Sequence, residues 1–421
     1  MNIYVFGLGH IGLPMATWIA LKGYKVIGID INAETITQIK NGTVNIQEQL
    51  NGVHISKVAQ NLIKNENLSV YTTFNRKNTV PSVFLITVGI SDKENGLSDI
   101  SPLINVIDTI SPFLVDNDLL IIKTTMIPGT CDSTIMPRLN ALKKKIHLAY
   151  CPETIIETKA FEELEKNTRI LAASDDDSFQ KAEKFLKCLS NSNVYKTSNF
   201  ITAEMVKVVQ NITRDVDICL INEISNVCSD LEIDVHELRK LVNTHPRIQL
   251  LSPGPGVGGY CLPNALKYLE DSLSDKNQLQ LTRKARELNE KRPFEIVKII
   301  KNALSKSGKN VKGSKIAIIG LAMKDYCADC RYSPAITIAS ELILKGAEVC
   351  AYDSLAKTSY PYQTISYEEC IKNADCMLIT ANQFGVRFEV RQILDLLKEP
   401  AIVVDTRNTF PADPRIRLYR I

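Results

Sequence analysis

The sequence lacks the features by which membrane-bound, secreted and nucleic-acid-binding proteins are usually recognised. No uninterrupted apolar run approaches the roughly 20 residues that a membrane helix needs, and the first residues do not form a basic-then-apolar leader. The 50 Lys and Arg residues against 47 Asp and Glu residues leave a formal net charge of only +3, without the basic excess typical of nucleic-acid binding. We therefore expect a cytoplasmic globular protein with neither a nucleic acid nor a membrane as partner.

The eleven cysteines follow no pattern of a disulfide framework or of a metal site. The one Cys-x-x-Cys pair, Cys327 and Cys330, has no second pair at a suitable spacing, whereas a structural zinc site needs four ligands. Irregular spacing in a chain without a leader indicates reduced thiols. We expect no metal.

The length of 421 residues exceeds that of one ordinary hydrophobic core and predicts two or three domains. Apolar runs alternate with polar helical stretches, as a doubly wound sheet requires; they lie at residues 2–6, 25–29, 83–88, 119–123, 147–150 and 169–172. Long helical patterns follow at 202–230 and 279–304, and strand-like runs resume at 315–320 and 348–353. The predicted fold class is α/β, with two Rossmann-like doubly wound parallel-sheet domains (1–197 and 306–421) joined by a long central helical segment (198–305).

A glycine motif stands between the first predicted strand and the first predicted helix. Gly7, Gly9 and Gly12 have the spacing of a dinucleotide-binding turn, in which a diphosphate lies at the helix N-terminus. Asp30 ends the next strand, where a carboxylate accepts hydrogen bonds from the ribose hydroxyls of NAD and would repel the extra phosphate of NADP. The motif predicts NAD as the cofactor.

A glycine-rich stretch at residues 253–261 ends in Cys261. A thiolate that adds to an aldehyde makes a thiohemiacetal, which becomes a thioester by loss of a second hydride and is then hydrolysed to an acid. A free cysteine is more often a small core residue, but the surrounding glycines permit close approach of the main chain to a ligand. Together with the dinucleotide motif, this predicts oxidation of an alcohol to an acid through a thiol.

Two further pairs of polar residues are candidates for chemistry. Lys207 and Asn211 are four residues apart on a predicted helix and share one face, where an amine and an amide can stabilise an oxyanion. Glu153 and Glu157 follow a predicted strand at its carboxyl end, where open α/β sheets bind ligands. Solvated surface residues are the alternative interpretation of both pairs.

In this order, the motifs resemble those of the UDP-glucose/GDP-mannose dehydrogenase family, NAD-dependent enzymes that oxidise C6 of a nucleotide sugar from alcohol to acid. The resemblance covers essentially the whole chain. It rests on residues 7–14, on Lys-Thr-Thr and Pro-Gly-Thr at 123–130, on the helix pattern at 203–223, and on Gly-Leu-Ala-Met-Lys, Arg and Ser-Pro-Ala at 320–335.

The resemblance implies a role for particular residues. Cys261 would be the nucleophile, Lys207 and Asn211 would stabilise oxyanions, and Glu153 and Thr125 would position water and manage protons. The implied cofactor contacts are Gly7, Gly9, Ile11, Gly12, Asp30, Val88, Thr125, Glu157 and Arg331. The implied substrate contacts are Glu153, Lys207, Asn211, Arg247, Gly254, Gly256, Gly258, Lys324 and Arg407. In the family the arginine at the place of Arg247 reaches a neighbouring subunit, so a homodimer is implied.

The choice of sugar rests on fewer residues. His245-Pro246-Arg247 resembles the branch that acts on UDP-N-acetylhexosamines, especially UDP-N-acetylmannosamine, whereas Glu157 is closer to the UDP-glucose branch. Ala265 stands where the family usually has an aspartate, four residues after the cysteine. Three alternatives remain: UDP-glucose as substrate, oxidation that stops early because of Ala265, and a binding protein that senses NAD or a nucleotide sugar.

Overall fold

The structure is a computed structural model that describes residues 2–92, 97–356 and 358–421. It divides into two compact units. The first unit comprises Met1–Gln210 and Lys267–Asp275, and the second comprises Asn211–Leu266 and Lys276–Ile421. The three-segment division at 197 and 305 stays a prediction.

The first unit is built on an eight-stranded sheet and two small antiparallel sheets of two strands each. Its strands in chain order are β1 (Ile3–Phe6), β2 (Val26–Ile29), β3 (Gln49–Leu50), β4 (Val53–His54), β5 (Leu68–Tyr71), β6 (Val83–Ile86), β7 (Ser91–Asp92), β8 (Ser98–Asp99), β9 (Leu119–Ile122), β10 (His147–Tyr150), β11 (Arg169–Ala173) and β12 (Val194–Lys196). Six parallel strands run in the order β5-β2-β1-β6-β9-β10, which is the 3-2-1-4-5-6 order of dinucleotide-binding sheets. The predicted doubly wound fold class is confirmed.

The last two strands of this sheet depart from the parallel arrangement. The strand predicted at 169–172 is present as β11, but it pairs antiparallel with β10, and β12 runs parallel to β11. The connection from β10 to β11 stays at the carboxyl edge of the sheet, so β11 starts from that edge and runs in the opposite direction. The same connection carries Glu153 and Glu157.

The helices of the first unit cover both faces of its sheet. They are α1 (Gly12–Leu21), α2 (Ala33–Asn41), α3 (Ile55–Lys64), α4 (Ser101–Ile110), α5 (Met136–Asn140), α6 (Ala160–Lys166) and α7 (Asp176–Leu189). The first of them is buried along almost its whole length, because it lies between the sheet and the neighbouring helices α3 and α6. The apolar side chains of α1 therefore belong to the core and not to a surface.

Two long helices follow the prediction within two residues. α8 (Phe200–Asp230) has 31 residues, and α11 (Gln280–Ser305) has 26 residues with Pro293 inside it. Between them lie α9 (Val235–Val242) and α10 (Cys261–Ser272). Within the described ranges, no helix is long and apolar enough to span a bilayer.

The second unit contains a five-stranded parallel sheet in the order β14-β13-β15-β16-β17. Its elements are β13 (Lys315–Ile319), α12 (Pro334–Leu344), β14 (Glu348–Tyr352), α13 (Tyr367–Ile371), β15 (Cys376–Ile379), α14 (Val390–Leu396), β16 (Ile402–Asp405) and β17 (Arg417–Arg420). Asp353, after β14, accepts hydrogen bonds from the main-chain nitrogens of Leu321 and Ala322 at 2.7 and 2.9 Å. This carboxylate is therefore engaged with its own loop.

Candidate active site

The loops that follow β1 and β6 meet where the order of the first sheet changes direction, which is where such sheets bind ligands. Thr87 Oγ1 donates to the oxygen of Gly7 at 2.7 Å. Gly7 has φ +87°, and a Cβ there would lie 3.0 Å from the nitrogen of Val88. A Cβ at Gly12 would overlap the oxygen of Gly7. Both positions therefore require glycine for packing of the loop.

The middle glycine of the motif faces open space instead. A Cβ at Gly9 would have no atom within 4 Å, and α1 begins after Ile11 with neither a side-chain cap nor an acidic residue in its first turn. Asp30 is fixed beside this loop, since its carboxylate accepts from the nitrogens of Leu8 at 2.7 Å and Asn32 at 2.9 Å. These features fit a diphosphate at the start of α1 and a ribose at Asp30.

Glu157 contacts the same loop from the connection after β10. Its Oε1 lies 3.3 Å from Nδ1 of His10, inside the glycine motif, and accepts from the nitrogen of Gln47 at 3.1 Å. The Glu157 side chain is 7% exposed. Glu157 therefore lies at the predicted cofactor loop.

Glu153 forms a buried ion pair at the carboxyl edge of the sheet. Its Oε2 is 3.0 Å from Nζ of Lys123, and the two side chains are 6% and 2% exposed. Burial acts to raise the pKa of Glu153, but the positive charges of Lys123 and Arg169 lower the pKa below its usual value. Glu153 is thus ionised at neutral pH. Thr125 is half-buried in the loop after β9, two residues beyond Lys123, and Glu153 lies in the connection after the neighbouring strand β10.

The first turns of α8 are fixed to the loop after β9. Glu204 is fully buried and accepts from the nitrogens of Gly129 at 2.5 Å and Cys131 at 2.9 Å. Lys207 lies three residues further along α8 and is half-buried, and Asn211 follows four residues later and is buried. Residues at these spacings lie on one side of a helix, so Glu204 fixes the face of α8 that carries Lys207 and Asn211.

The glycine-rich stretch of the second unit packs against its own chain. Gly256 has φ +136°, and a Cβ there would lie 3.2 Å from Pro334 and 3.3 Å from Pro293. At Gly258 a Cβ would lie 2.8 Å from the oxygen of Tyr332. The glycine pattern predicts close approach of a ligand at these positions, whereas in the structure Gly256 and Gly258 are required by packing against their own chain. Gly254 differs, because a Cβ there would be 3.7 Å from Nη1 of Arg407 and would meet no other atom within 4 Å.

Cys261 is the exposed first residue of α10. The preceding turn is tied to Arg331, whose oxygen accepts from the nitrogen of Gly259 at 2.8 Å and whose guanidinium lies 5.7 Å from the ring centroid of Tyr260. The pKa of Arg331 is raised, mainly by its hydrogen bonds to Asp329, with a smaller electrostatic contribution from the nearby Cys261 side chain. The guanidinium therefore lies within electrostatic reach of the thiol. Ala265, one turn further along α10, is completely buried.

Lys324 and Arg407 both lie at the carboxyl edge of the second sheet, after β13 and β16. Arg407 Nη2 donates to Oδ2 of Asp325 at 2.6 Å, and Asp325 also accepts from the nitrogen of Asn382 at 2.9 Å. Arg407 Nε is buried and has no hydrogen-bond partner within the described residues. The guanidinium of Arg407 is therefore only partly satisfied by hydrogen bonds within the described residues.

Comparison with known proteins assigns the whole chain to one family. Three models of the UDP-glucose/GDP-mannose dehydrogenase family match in order: the NAD binding domain at residues 1–190, the central domain at 201–291 and the UDP binding domain at 317–412. The chain belongs to this family.

The similarity to individual members extends over nearly the whole chain. The chain is 33% identical over 416 residues to a UDP-N-acetyl-D-mannosamine dehydrogenase of Methanococcus maripaludis, and the alignment covers 97% of this chain and 92% of that protein. The Escherichia coli enzyme of the same name is 32% identical over 360 residues, 81% of this chain and 82% of that protein. The solved UDP-D-ManNAc dehydrogenase of Pyrococcus horikoshii aligns with a TM-score of 0.88 at 30% identity, over 100% of this chain and 99% of that one.

As a member of the UDP-glucose/GDP-mannose dehydrogenase family, the chain is an NAD-dependent nucleotide-sugar dehydrogenase. The glycine loop with Asp30 lies in the part that matches the NAD binding domain. Lys324, Arg331 and Arg407 lie in the part that matches the UDP binding domain. The predicted cofactor and enzyme class are confirmed; the role of each residue stays a prediction.

Several polar residues beside these sites were not singled out from the sequence. Lys123 gave a signal that could have been used, because a charged residue that ends an apolar strand run lies at the sheet edge, as Glu153 does. Asn222 lies in the helix pattern that carries the family resemblance, but no role was assigned to it, and Arg292 and Asp325 gave no local signal; the hydrogen-bond partners of all three are distant in sequence.

The cysteine pair predicted to hold no metal is buried. Cys327 and Cys330 lie within the second unit, and burial raises the pKa of Cys330 to about 12, so its thiol stays protonated. Among the described residues, no group of three or more His, Cys, Asp or Glu side chains is placed to hold a metal ion.

Proposed function

We propose that this enzyme oxidises C6 of UDP-N-acetylmannosamine from alcohol to carboxylate through a covalent intermediate on Cys261. The observation that carries the choice of sugar is the similarity to UDP-N-acetyl-D-mannosamine dehydrogenases over 97% of the chain. All eleven cysteines are free, which supports a reducing, cytoplasmic location.

The proposed chemistry uses the residues in separate steps. The oxidant in each of the two oxidations would be one NAD molecule, which takes one hydride; the first oxidation also releases the proton of the C6 hydroxyl and gives the aldehyde. The Cys261 sulfur adds to the carbonyl carbon of the aldehyde, and the oxygen takes a proton, which gives a thiohemiacetal. Loss of one hydride from carbon and of the hydroxyl proton leaves a thioester; water then adds, the carbon–sulfur bond breaks, and the thiolate departs from the carboxylic acid. Lys207 and Asn211 stabilise the oxyanions.

Glu153 is suited to the hydrolytic step because the ion pair with Lys123 keeps it ionised. An ionised carboxylate accepts a proton from water, whereas a neutral one does not. Thr125, in the loop after the neighbouring strand β9, positions that water in the proposed mechanism.

The test is the stoichiometry of NADH per sugar. UDP-N-acetylmannosamine, UDP-N-acetylglucosamine and UDP-glucose are each supplied in limiting amount with excess NAD, and NADH absorbance is followed to completion. Two NADH per UDP-N-acetylmannosamine are expected, and Cys261→Ser should abolish production of the acid. Turnover of UDP-glucose alone would refute the proposed sugar.

One observation favours a second candidate, incomplete oxidation. The family's usual aspartate is replaced by the completely buried Ala265, so this turn of α10 offers no carboxylate at that position. One NADH per sugar, with an acyl or aldehyde adduct on Cys261 in intact-protein mass spectrometry, would support this candidate. Two NADH and an unmodified protein would refute it.

We also propose that the enzyme is a homodimer in which Arg247 completes the partner's site. Val209, Val216, Leu220 and Val227 on α8 recur at spacings of seven, four and seven residues, which projects them within about 20° of one line along the helix. Three of them are more than two-fifths exposed, and an exposed apolar stripe on a long helix is typical of an interface. Arg247 is exposed on the loop after α9.

Complementation distinguishes a partner's Arg247 from one within the same subunit. Arg247→Ala and Cys261→Ser subunits, each inactive alone, are co-expressed with different affinity tags and purified as a mixture. If Arg247 acts across the interface, random pairing leaves about one quarter of the sites with both Arg247 and Cys261 intact. We therefore expect the mixture to have about one quarter of the wild-type activity. A mixture as inactive as its parents would refute the shared site.

A further inference from the structure

The main chain at Gly254 is held from both sides by buried polar side chains. The nitrogen of Gly254 donates to Oδ1 of Asn222 on α8 at 2.9 Å, and its oxygen accepts from Nε of Arg292 on α11 at 3.2 Å. We propose that Asn222 and Arg292 are positioning residues that fix this segment for binding of the nucleotide sugar. The inference rests on the proposed function and on the substrate contact that the family resemblance implies for Gly254.

The segment has few other means of holding its shape. Residues 251–258 belong to neither a helix nor a strand, so no regular ladder satisfies their main-chain polar groups. Both groups of Gly254 are instead paired with side chains that are nearly inaccessible, Asn222 at 5% and Arg292 at 1% exposure. Buried side chains exchange rotamers less freely than exposed ones, so this pairing defines the position of Gly254 closely.

The two side chains are retained at a cost to stability. Nδ2 of Asn222 is buried without a hydrogen-bond partner in the described part of the chain, and an unsatisfied buried donor has lost the hydrogen bond to water that it makes in the unfolded chain. Burial lowers the pKa of Arg292, against the effect of its ion pair with Glu295. Apolar side chains would often fill such a position with equal or better stability. Positioning of Gly254 gives these polar residues a function.

The held segment leads directly to the predicted substrate residues. The open side of Gly254 faces Nη1 of Arg407, whose other terminal nitrogen is fixed by Asp325. Two residues further on, Gly256 packs against Pro293, the neighbour of Arg292 on α11. A displacement of Gly254 therefore changes its spacing to Arg407. All of these residues belong to the second unit, whereas the glycine loop predicted to bind NAD belongs to the first.

The test compares Asn222→Leu, which removes the acceptor, with Asn222→Asp, which keeps an acceptor oxygen. Asn226→Leu is the matched control, because Asn226 lies one turn along α8 and contacts Arg292 Nη1 but not Gly254. We expect Asn222→Leu to raise KM for UDP-N-acetylmannosamine at least about tenfold with KM for NAD within about twofold of wild type, and Asn222→Asp to recover most of the loss. Ten-fold corresponds to about 1.4 kcal/mol.

Hydrogen exchange of the full chain supplies a readout that does not depend on turnover. In peptides that contain Gly254, exchange should be faster in Asn222→Leu than in wild type or Asn226→Leu. Unchanged exchange overturns the inference whether or not the proposed function holds. Faster exchange with both KM values unchanged, or with both raised together, also overturns it, because the contact would then be structural only. Absence of NADH production by wild type with UDP-N-acetylmannosamine refutes instead the proposed function.

Discussion

Replacement of Lys123 by Met leaves the carboxylate of Glu153 buried without its nearest positive charge. The two groups are 3.0 Å apart and nearly inaccessible, so water cannot take over the role of the lysine. We expect Lys123→Met to lower the free energy of unfolding by about 3–5 kcal/mol at neutral pH, the usual cost of leaving one partner of a buried ion pair uncompensated.

The geometry supports this magnitude. Unit charges separated by 3.0 Å attract by about 5 kcal/mol at an effective dielectric constant of about 20. Met fills a volume similar to that of the lysine stem, so a cavity contributes little. The double variant Lys123→Met with Glu153→Gln removes both charges and should recover most of the lost stability, which a double-mutant cycle measures directly.

The loss should depend on pH with a definite sign. In wild type the pKa of Glu153 is lowered by folding, so its contribution to stability is complete above the unfolded pKa of about 4.3 and disappears as the pH falls through the folded pKa. Without Lys123, burial dominates and raises the pKa of Glu153, so the variant becomes less stable as the pH rises above the unfolded pKa. The difference between the proteins should therefore shrink from about pH 7 to about pH 4.

Urea denaturation of both proteins across this pH range measures the effect. The control is Lys22→Met, which breaks the ion pair between Lys22 and Glu165. The Nζ–Oε2 distance of this pair, 2.8 Å, is similar to that of the buried pair, but the two side chains lie at the surface and are 34% and 43% exposed. That variant should lose at most about 1 kcal/mol. A loss below about 1 kcal/mol for Lys123→Met, or an equal loss at both ends of the pH range, would refute the reasoning.

Four other variants test the candidate sites and the proposed dimer interface. Gly12→Ala should abolish NAD binding, because its Cβ would overlap a main-chain oxygen of the glycine loop. Gly9→Ala should fold normally but weaken NAD binding, because Gly9 faces the open space where the diphosphate would approach. Thermal midpoints measure the folding of both variants, and fluorescence titration measures their binding of NAD. Asp325→Asn removes the ion pair that holds Arg407, so KM for the nucleotide sugar should rise about tenfold, which corresponds to about 1.4 kcal/mol. An unchanged KM would contradict this role of Asp325. Leu220→Asp should sediment as a monomer, whereas a dimer would exclude the α8 stripe as the interface.

Much of the fold could be predicted from local patterns. The strands at 83–88, 119–123 and 147–150 and the helix at 202–230 were found within a few residues of their observed bounds, because apolar periodicity reflects burial of one face or of the whole strand. The direction of β11 could not be predicted in this way. A strand has the same apolar pattern in either direction, and its direction follows from the path of the connection.

The candidate sites likewise contain some parts that the sequence predicts and others that depend on the fold. Gly7, Gly12 and Asp30 follow a spacing that is local to one strand–helix–strand unit, so the sequence was sufficient to predict the dinucleotide loop. The glycine pattern marked Gly256 and Gly258 as positions that need a small residue. The physical cause is their contact with Pro334 and Tyr332. These partners lie about 75 positions away in the chain, so the cause could not be derived from the neighbouring sequence.

The sequence by itself determined the two sheets, the long helices, the NAD loop and the family, since these depend on interactions between near neighbours and on motifs of fixed spacing. Only the tertiary structure showed that Lys123 keeps Glu153 ionised and that Asn222 and Arg292 hold Gly254. The physical reason is that hydrogen bonds and ion pairs act over about 3 Å in space, and folding alone decides which distant residues come within that distance.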